Sequence, residues 1–258
     1  MEGRNMVLAI DVGNTLTNLG FYDNSSLVKE FKLKSDSSFT LDQIESTLIN
    51  LLSPYKESLF DVEGAIISCV VPILEKKWVN VITKLFNVKP LTLGPKLKTG
   101  IAIRTDNPKE VGSDLIADCV GAKAKYKLPA IIVDLGTANK IIALDENATF
   151  IGCAIGPGLE ISKEALVSNA ALLPEVDFSI PKSPIGKNTP DSMNSAFTYG
   201  NACLVRGMAN LFKKELKQEP SLILTGGYSS FIYPLLSEFT YDPSLLLDGL
   251  FHLYSKRK

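Results

Sequence analysis

Residues 8–23 read LAIDVGNTLTNLGFYD and residues 130–145 read AIIVDLGTANKIIALD, and these two stretches determine the architecture that we predict. Each contains an apolar run, an Asp-x-Gly turn, a second apolar run and a closing acid. This pattern predicts two strands joined by a tight turn, with Gly13 and Gly136 letting backbone amides face outward. Because the two stretches lie about half a chain apart, they favour a duplicated two-domain architecture over one continuous sheet.

The rest of the chain alternates between short apolar runs and apolar residues at helical spacing. Strands are predicted at residues 64–72, 90–94 and 221–227, and helices at residues 41–52, 74–86, 160–173 and 191–217. Alternation of this kind predicts α/β layers.

Composition narrows the classes of function. The chain has 258 residues, with 45% hydrophobic and 21% charged residues, which is typical of a soluble globular protein. Its net charge of -1 gives no reason to expect nucleic acid or an anionic membrane as a partner. No apolar run approaches the roughly 18 residues of a membrane span, and the start is too weakly apolar for a secretory signal, so we expect a cytoplasmic protein.

Cysteine and histidine usage narrows the chemistry further. Cys69, Cys119, Cys153 and Cys203 are far apart in apolar stretches, which favours reduced, buried thiols over a disulfide or a zinc site. The single histidine is His252, which argues against triad hydrolysis and histidine metal centres. Proton transfer should therefore fall to a carboxylate, a lysine or a tyrosine.

The first turn, at residues 11–15, has two interpretations. A glycine turn beside a carboxylate can bind a phosphate tail and its magnesium ion, whereas an Asx-type turn would only satisfy its own backbone. The near-copy at residues 134–137 favours the phosphate interpretation, because two such turns could hold a triphosphate.

Four further motifs leave alternatives open. Asp114 is either an acid favoured by the helix dipole or a carboxylate aimed into a cleft. The small residues of 152–159 permit either close ligand approach or a plain turn. Residues 186–189 could bind a substrate carboxylate, although capping the following helix is the preferred interpretation. Gly226 and Gly227 suit packing against an adenine ring or an ordinary tight turn. The sequence contains no P-loop motif, which rules out a P-loop kinase, and no complete G-x-G-x-x-G follows a strand, which argues against a classical dinucleotide fold.

Taken together and in order, the motifs resemble the type III pantothenate kinases of the actin, sugar-kinase and Hsp70 superfamily. The matching stretches are DVGNT (11–15), AIISCVVP (65–72), PLTLGPKLKTGI (90–101), DNPKEVGSD (106–114), DLGTA (134–138), IGCAIGPGL (151–159), IGKNT (185–189) and LTGG (224–227). They extend over almost the whole chain.

The resemblance implies an α/β fold of two duplicated ribonuclease-H-like (actin-like ATPase) domains, with ATP in the cleft between them. We place the N-terminal domain at residues 1–118 and the C-terminal domain at 119–258. The resemblance also implies a homodimer with pantothenate near the subunit interface, and ATP, Mg²⁺ and a monovalent cation, K⁺ or NH₄⁺, as cofactors. The expected reaction makes 4'-phosphopantothenate, which enters coenzyme A biosynthesis.

The resemblance also implies roles for individual residues. The first phosphate loop would consist of Asp11, Val12, Gly13, Asn14, Thr15, Leu16, Thr17 and Asn18, with Thr137 as a second phosphate contact. Asp134, with Asp11, would serve the metal ions. Asp114 would be the general base, in a substrate loop with Gly112, Ser113 and Leu115, and Thr105 and Thr189 would border pantothenate. Asp114 would take the proton of the primary hydroxyl while that oxygen attacks the γ-phosphate in line.

The chain departs from the family pattern at several positions. Leu115 replaces an arginine that helps to hold the pantothenate carboxylate, and Thr105 replaces a tyrosine, so acceptor choice or affinity should be affected more than ATP binding. Asn139 and Lys140 replace two threonines. Lys140 shares strand parity with Asp134, so its ammonium group could stand in for the potassium ion, or it could be a solvated surface lysine.

Three hypotheses follow. The first is a pantothenate kinase, and the second is a kinase of the same fold for another small hydroxylated acceptor. The third is a catalytically silent regulatory binding protein of the Bvg accessory factor kind. Retention of Asp114 favours an enzyme, because a silent protein has no chemical need for that acid.

Overall fold

The computed structural model describes residues 6–55 and 61–257. These residues fall into two compact units, and the first is assembled from three stretches of the chain. The first unit takes in the described residues of Met1–Ile101, Asp106–Lys125 and Ser244–Lys258, and the second consists of Ala102–Thr105 and Tyr126–Pro243. The domain limits at residues 1–118 and 119–258 stay a prediction.

A mixed five-stranded sheet forms the centre of the first unit. Its strands are β1 (Met6–Val12), β2 (Leu16–Asp23), β3 (Ser26–Lys34), β4 (Val62–Cys69) and β5 (Leu91–Thr92). Their order is β3-β2-β1-β4-β5, in which β1, β2 and β3 are antiparallel and β4 and β5 run parallel to β1. Every residue of β1 is buried, as expected of a central strand.

Local sequence signals set the limits of the helices in this unit. The helices are α1 (Leu41–Leu52), α2 (Pro72–Phe86), α3 (Ser113–Lys125) and α8 (Leu245–Ser255), with 3₁₀ turns at Ser53–Tyr55 and Pro108–Glu110. Thr40 and Gln43 form a capping box at the start of α1. Pro72 suits the first position of α2, and this helix ends where Asn87 adopts a left-handed conformation with φ 55°.

Alternation along β1 separates the core from the candidate site. Met6, Leu8, Ile10 and Val12 pack with α1 and α2 in one apolar cluster. Because successive side chains point to opposite faces of a strand, Asp11 lies on the other face of the sheet. Helices α3 and α8 pack against each other and contact β4, and α8 also contacts β1 and β2.

The second unit repeats the strand arrangement of the first. Its strands are β6 (Ala102–Ile103), β7 (Ala130–Leu135), β8 (Ala138–Leu144), β9 (Thr149–Pro157), β10 (Ser221–Thr225) and β11 (Thr240–Tyr241). The order β9-β8-β7-β10-β11 copies β3-β2-β1-β4-β5 in both order and direction, and β6 adds a strand beside β9. The predicted duplication of an Asp-x-Gly hairpin within an α/β fold is therefore confirmed.

The helices of the second unit cover an apolar cluster centred on β7. They are α4 (Leu159–Asn169), α5 (Thr189–Ser195), α6 (Asn201–Leu216) and α7 (Ser229–Ile232), with a π-helical turn at Ala196–Gly200 and a 3₁₀ turn at Tyr233–Leu235. Ile131, Val133 and Leu135 pack in this cluster with Val205 of α6 and Ile232 of α7.

Most predicted elements are present, with shifted limits. The predicted helix at 41–52 is α1, and the predicted strands at 64–72 and 221–227 correspond to β4 and β10. The predicted strand at 90–94 contains only two strand residues, and the predicted helix at 160–173 ends at Asn169. The helical region at 191–217 is interrupted by the π-helical turn.

Two other expectations need comment. The expectation that all four cysteines are buried is wrong for Cys203, which is exposed on α6, whereas Cys119 is buried and Cys69 and Cys153 are intermediate. Among the helices of the described residues, none has the length and apolarity to span a bilayer.

Two glycines let α3 and α8 approach closely. A Cβ atom at Gly249 would overlap the backbone oxygen of Ala117, and one at Gly121 would overlap that of Leu245. We expect Gly249→Ala to lower the stability of the protein by about 1–3 kcal/mol, because overpacking forces the helices apart. Urea unfolding followed by circular dichroism measures this change.

Gly207→Ala is the matched control for this prediction. Gly207 is exposed on α6, and a Cβ there would meet nothing within 4 Å. Alanine at an open helical position should raise stability by up to about 1 kcal/mol. Equal unfolding midpoints for the two variants would contradict the close packing of α3 on α8.

Candidate active site

The first Asp-x-Gly turn joins β1 to β2 and has an exposed tip. The Gly13 N–H donates to the Leu16 carbonyl over 3.0 Å, and the Ser35 N–H donates to the Thr15 carbonyl over 2.8 Å. The Gly13 amide therefore points into the hairpin, which differs from the expectation that this glycine presents its amide outward. The exposed residues are Asn14, Thr15 and Leu16, so a ligand can reach the tip but not through the amide of Gly13.

The residues that flank this turn differ in accessibility. Asp11 is 7% exposed, and its register neighbours are Asn18 on β2 and Ser68 on β4. Thr17 is fully buried, and its hydroxyl shares a 2.8 Å hydrogen bond with Ser35. Val12 belongs to the apolar cluster. Within the predicted phosphate loop, Val12 and Thr17 therefore have a structural role. The polar groups of the loop belong to Asp11 and to the exposed tip.

Asp114 lies in the first turn of α3 and is half-buried. Its Oδ1 accepts a hydrogen bond of 2.9 Å from the Leu115 N–H. A Cβ at Gly112 would overlap this same oxygen, so the carboxylate folds back over a residue without a side chain. The predicted Gly-Ser-Asp motif thus has a physical reason, since any side chain at position 112 would have to displace this carboxylate.

A pair of serines connects the start of α3 to the central sheet. The Ser113 and Ser68 hydroxyls lie 2.9 Å apart and share a hydrogen bond. Ser68 is fully buried and is the register neighbour of Asp11. The first unit therefore brings the end of β1 and the start of α3 together, and it holds Asp114 on a rigid element beside the first turn.

Leu115 follows Asp114 but points into the protein. It is 5% exposed. At this position, where the resemblance implies a substrate contact, the structure places an apolar side chain in the interior of the first unit.

Burial suppresses ionisation at Cys69, which follows Ser68 on β4. Desolvation raises the pKa of Cys69 to about 11, although its thiol also donates to the Val71 carbonyl. The thiol is therefore neutral near pH 7 and is a poor nucleophile. The chemistry of this region falls to carboxylates and hydroxyls.

Three motifs of the sequence meet at the second Asp-x-Gly turn, namely residues 134–137, residues 152–159 and the Thr-Gly-Gly turn at residues 225–227. The Gly136 N–H donates to the Ala138 carbonyl over 3.3 Å, and the Gly158 N–H donates to the Thr137 carbonyl over 3.0 Å. A Cβ at Gly158 would overlap the carbonyl oxygens of Gly136 and Thr137. Like the Gly13 amide, the Gly136 amide is used within its hairpin, contrary to expectation.

The Thr-Gly-Gly turn after β10 closes the same site. Gly226 has φ +96°, and a Cβ there would overlap Oδ1 of Asp134, so this position requires glycine for two independent reasons. The Tyr228 N–H then donates to the Leu135 carbonyl over 2.9 Å. Gly227 is exposed, and a Cβ there would meet nothing within 4 Å. A flat ligand could therefore approach the backbone at Gly227.

Tyr228 next to this turn stays a neutral donor over the physiological range. Burial, together with the carboxylate of Glu160, raises the pKa of Tyr228 to about 12. Its hydroxyl donates to Glu160 over 2.8 Å. This bond links the start of α4 to the Thr-Gly-Gly turn.

Lys140 forms an ion pair with Asp134. The Lys140 ammonium nitrogen lies 2.5 Å from Oδ2 of Asp134, and the two side chains are 16% and 9% exposed. The neighbouring Asn139 amide donates to Asn201 on α6 over 2.8 Å. Both residues that depart from the family pattern on β8 are therefore bound within the second unit, and Lys140 is not a solvated surface lysine.

Thr189 begins α5 beside an open surface pocket of about 550 Å³. The Asn188 side chain caps this helix by accepting from the Asp191 N–H over 2.8 Å, which confirms the preferred interpretation of the motif. This open pocket is lined by Leu166, Leu173, Lys187, Asn188, Thr189 and Ser192. The same motif thus caps a helix and presents one cationic side chain, Lys187, and one hydroxyl side chain, Thr189, to the pocket.

Thr105 follows β6 in the second unit. Its hydroxyl is buried and has no hydrogen-bond partner among the residues that the structure describes. The preceding Arg104 lies 3.4 Å from Asp145. Its guanidinium group is therefore engaged within the second unit.

Solved structures identify the class of fold. The chain resembles the activator of 2-hydroxyisocaproyl-CoA dehydratase from Clostridium difficile with bound ADPNP, at TM-score 0.52 and 12% identity over 97% of this chain and 95% of that one. It also resembles component A of (R)-2-hydroxyglutaryl-CoA dehydratase from Acidaminococcus fermentans, at TM-score 0.52 and 15% identity over 97% of each chain. The protein has the actin-like ATPase and sugar-kinase fold.

Sequence comparison identifies the family within that class. The profile of the type III pantothenate kinases matches residues 7–211. Type III pantothenate kinases from two strains of Listeria monocytogenes are each 38% identical to the chain over 254 residues, which is 98% of this chain and 98% of theirs. The chain belongs to the type III pantothenate kinase family.

The contact of Gly158 with the second turn gives a local prediction. We expect Gly158→Ala to displace residues 134–137, because the new methyl group would overlap two carbonyl oxygens. Hydrogen–deuterium exchange read by mass spectrometry should show faster exchange in the peptide that contains this turn.

Gly156→Ala is the control for this measurement, since a Cβ at Gly156 would meet nothing within 4 Å. It should leave exchange at the turn unchanged. Identical protection of the turn in the two variants would show that Gly158 does not support it.

Proposed function

We propose that the protein transfers the γ-phosphoryl group of ATP to the primary hydroxyl of pantothenate and so makes 4'-phosphopantothenate for coenzyme A biosynthesis. Membership of the type III pantothenate kinase family supports this activity. The observation that carries it is the placement of Asp114 in the first turn of α3, tied to the central sheet through Ser113 and Ser68. An activity that uses ATP is in keeping with a cytoplasmic location.

In the proposed reaction Asp114 acts on the acceptor alcohol. Its carboxylate takes the hydroxyl proton while the alcohol oxygen forms a bond to the γ-phosphorus and the bond to the β,γ-bridging oxygen breaks, which releases ADP. The hydrogen bond from the Leu115 N–H fixes the carboxylate in place. Positioning of this kind supplies a large part of the rate in phosphoryl transfer.

In the first unit we assign Asp11 and the tip residues Asn14 and Thr15 to the phosphates and magnesium of the nucleotide. In the second unit we assign Thr137 as a phosphate contact and Gly226 with Gly227 as residues that would lie against adenine. Magnesium prefers oxygen ligands and keeps several waters, and Asp11 offers such a ligand next to an exposed tip. The bound ion would offset the negative charge that grows on the phosphates.

We assign the acceptor to the residues around Asp114 and to Thr105 and Thr189. The open pocket beside Thr189 and the buried hydroxyl of Thr105 support these assignments. Leu115 favours a second candidate function, a kinase for another small alcohol, because its buried side chain offers no charge to the pantothenate carboxylate.

Replacement of Asp114 tests the proposed mechanism. We expect Asp114→Asn to lower kcat for pantothenate by about 10²- to 10⁴-fold, because an amide cannot accept the proton. The measurement is phosphopantothenate formation with MgATP, with nucleotide affinity determined in parallel. Asp106→Asn, an exposed acid in the loop before α3, should keep the full rate.

The outcomes of this assay separate the hypotheses. Equal turnover by Asp114→Asn and the unchanged protein would remove Asp114 as the base. Turnover only with a different alcohol would establish the second candidate function. Nucleotide binding without turnover of any acceptor would favour a regulatory binding protein.

We also propose that the protein is a homodimer. Leu204 and Leu211 are 52% and 54% exposed, and their seven-residue spacing places them on the same face of α6. An apolar helical face of this kind is typical of a surface that packs on a second subunit.

Charged substitutions on α6 test this assembly. We expect Leu204→Glu combined with Leu211→Glu to convert a dimer into a monomer, because the paired faces would bury like charges. Light scattering coupled to gel filtration measures the mass. Ile73→Glu, a change at a 60% exposed apolar residue of α2, should leave the mass unchanged. A monomeric mass for the unchanged protein would end this proposal.

A further inference from the structure

We propose that Lys140 supplies a built-in monovalent positive charge at the second Asp-x-Gly turn, so that phosphoryl transfer by this protein does not depend on added potassium or ammonium ions. This inference rests on the proposed function, in which that turn serves the nucleotide. It concerns a residue of the second unit alone, and its geometry is set by the sheet.

The register of the sheet places Lys140 next to Asp134. The two residues are directly paired on the antiparallel strands β7 and β8. Side chains of such a pair project from the same face with Cβ atoms about 4.5–5.5 Å apart. The ammonium group reaches Oδ2 of Asp134 at 2.5 Å, so the ion pair follows from strand pairing and does not depend on a flexible loop.

The surroundings of Asp134 do not fit a separate monovalent cation. Its Oδ2 atom is already bound by the Lys140 ammonium group. A potassium ion at this carboxylate would therefore lie beside a like charge. This repulsion opposes binding of the ion at this carboxylate.

Burial keeps the charge of Lys140 effective. Its side chain is 16% exposed and that of Asp134 is 9% exposed, so solvent and salt screen the pair less than they would a surface pair. A tethered ammonium group is also already in place before the nucleotide binds, whereas a dissolved ion must first be captured. Preorganised charge of this kind is how enzymes stabilise phosphoryl groups.

The cation dependence of turnover is the direct test. Phosphopantothenate formation is measured with MgATP in choline chloride and in potassium or ammonium chloride at one ionic strength. We expect the unchanged protein to work equally well in all three salts. Lys140→Thr should be at least about tenfold slower in choline chloride and should recover in potassium chloride, because the smaller side chain leaves room for the ion.

Two further variants control this experiment. Lys182→Thr removes an exposed lysine of the same unit and should behave as the unchanged protein does. Lys140→Arg retains the positive charge and should stay independent of potassium. A steep rise in turnover with potassium in the unchanged protein would overturn the inference, and this result does not require any variant to fold.

A second readout separates failure of this inference from failure of the proposed function. Ligand binding to the folded state raises the thermal unfolding temperature. Potassium should therefore stabilise Lys140→Thr more than choline does, and it should give no such difference in the unchanged protein. If no salt supports pantothenate turnover, the proposed function fails, and this stability comparison still decides the inference. Equal potassium effects on the two proteins would overturn it.

Discussion

A carboxylate that is buried at the end of a central strand must be balanced by its surroundings, because desolvation of a charge costs on the order of several kcal/mol. Asp11 and Asp134 both meet this condition, since each is 7% exposed and lies near the end of a wholly buried strand. Around Asp134 the balance comes from the ammonium group of Lys140, and Gly226 leaves room for the carboxylate.

This constraint explains why distant glycines belong to one site. Gly158 and Gly226 are separated by more than sixty residues in the sequence, yet both contact the turn that follows β7. Neither position tolerates a side chain, because a Cβ atom would overlap backbone or carboxylate oxygens. In the first unit Gly112 has the same relation to Asp114. Glycine is present at each of these positions because a Cβ atom there would overlap a neighbouring oxygen atom.

The sequence was sufficient to predict the two hairpins and the α/β class, because Asp-x-Gly between apolar runs is a strong local signal. It also indicated that Lys140 shares strand parity with Asp134, and the structure pairs these two residues directly across β7 and β8. Strand β9 was not predicted, because the small residues of 152–159 resemble a turn more than a strand. Helix α8 was also not predicted, because its apolar residues pack on elements that are distant in the sequence.

Other features depend on tertiary packing and were beyond sequence reasoning. The use of the Gly13 and Gly136 amides inside their hairpins follows from hydrogen bonds that only the folded chain forms. The burial of Leu115 likewise depends on the elements that pack around α3. The roles of the individual site residues stay predictions, although their placement in each unit is consistent with the chemistry assigned to them.

The return of the chain to the first unit at α8 has a consequence for biosynthesis. Helix α8 packs on α3 and the central strands, yet it is made only after the entire second unit has been translated. Domains generally fold as they emerge during synthesis, at about 5–20 residues per second. Here the first sheet is synthesised long before the last helix that packs on it. A chain that ends before residue 245 would therefore contain this sheet without α8, and the surface that α8 covers would be exposed.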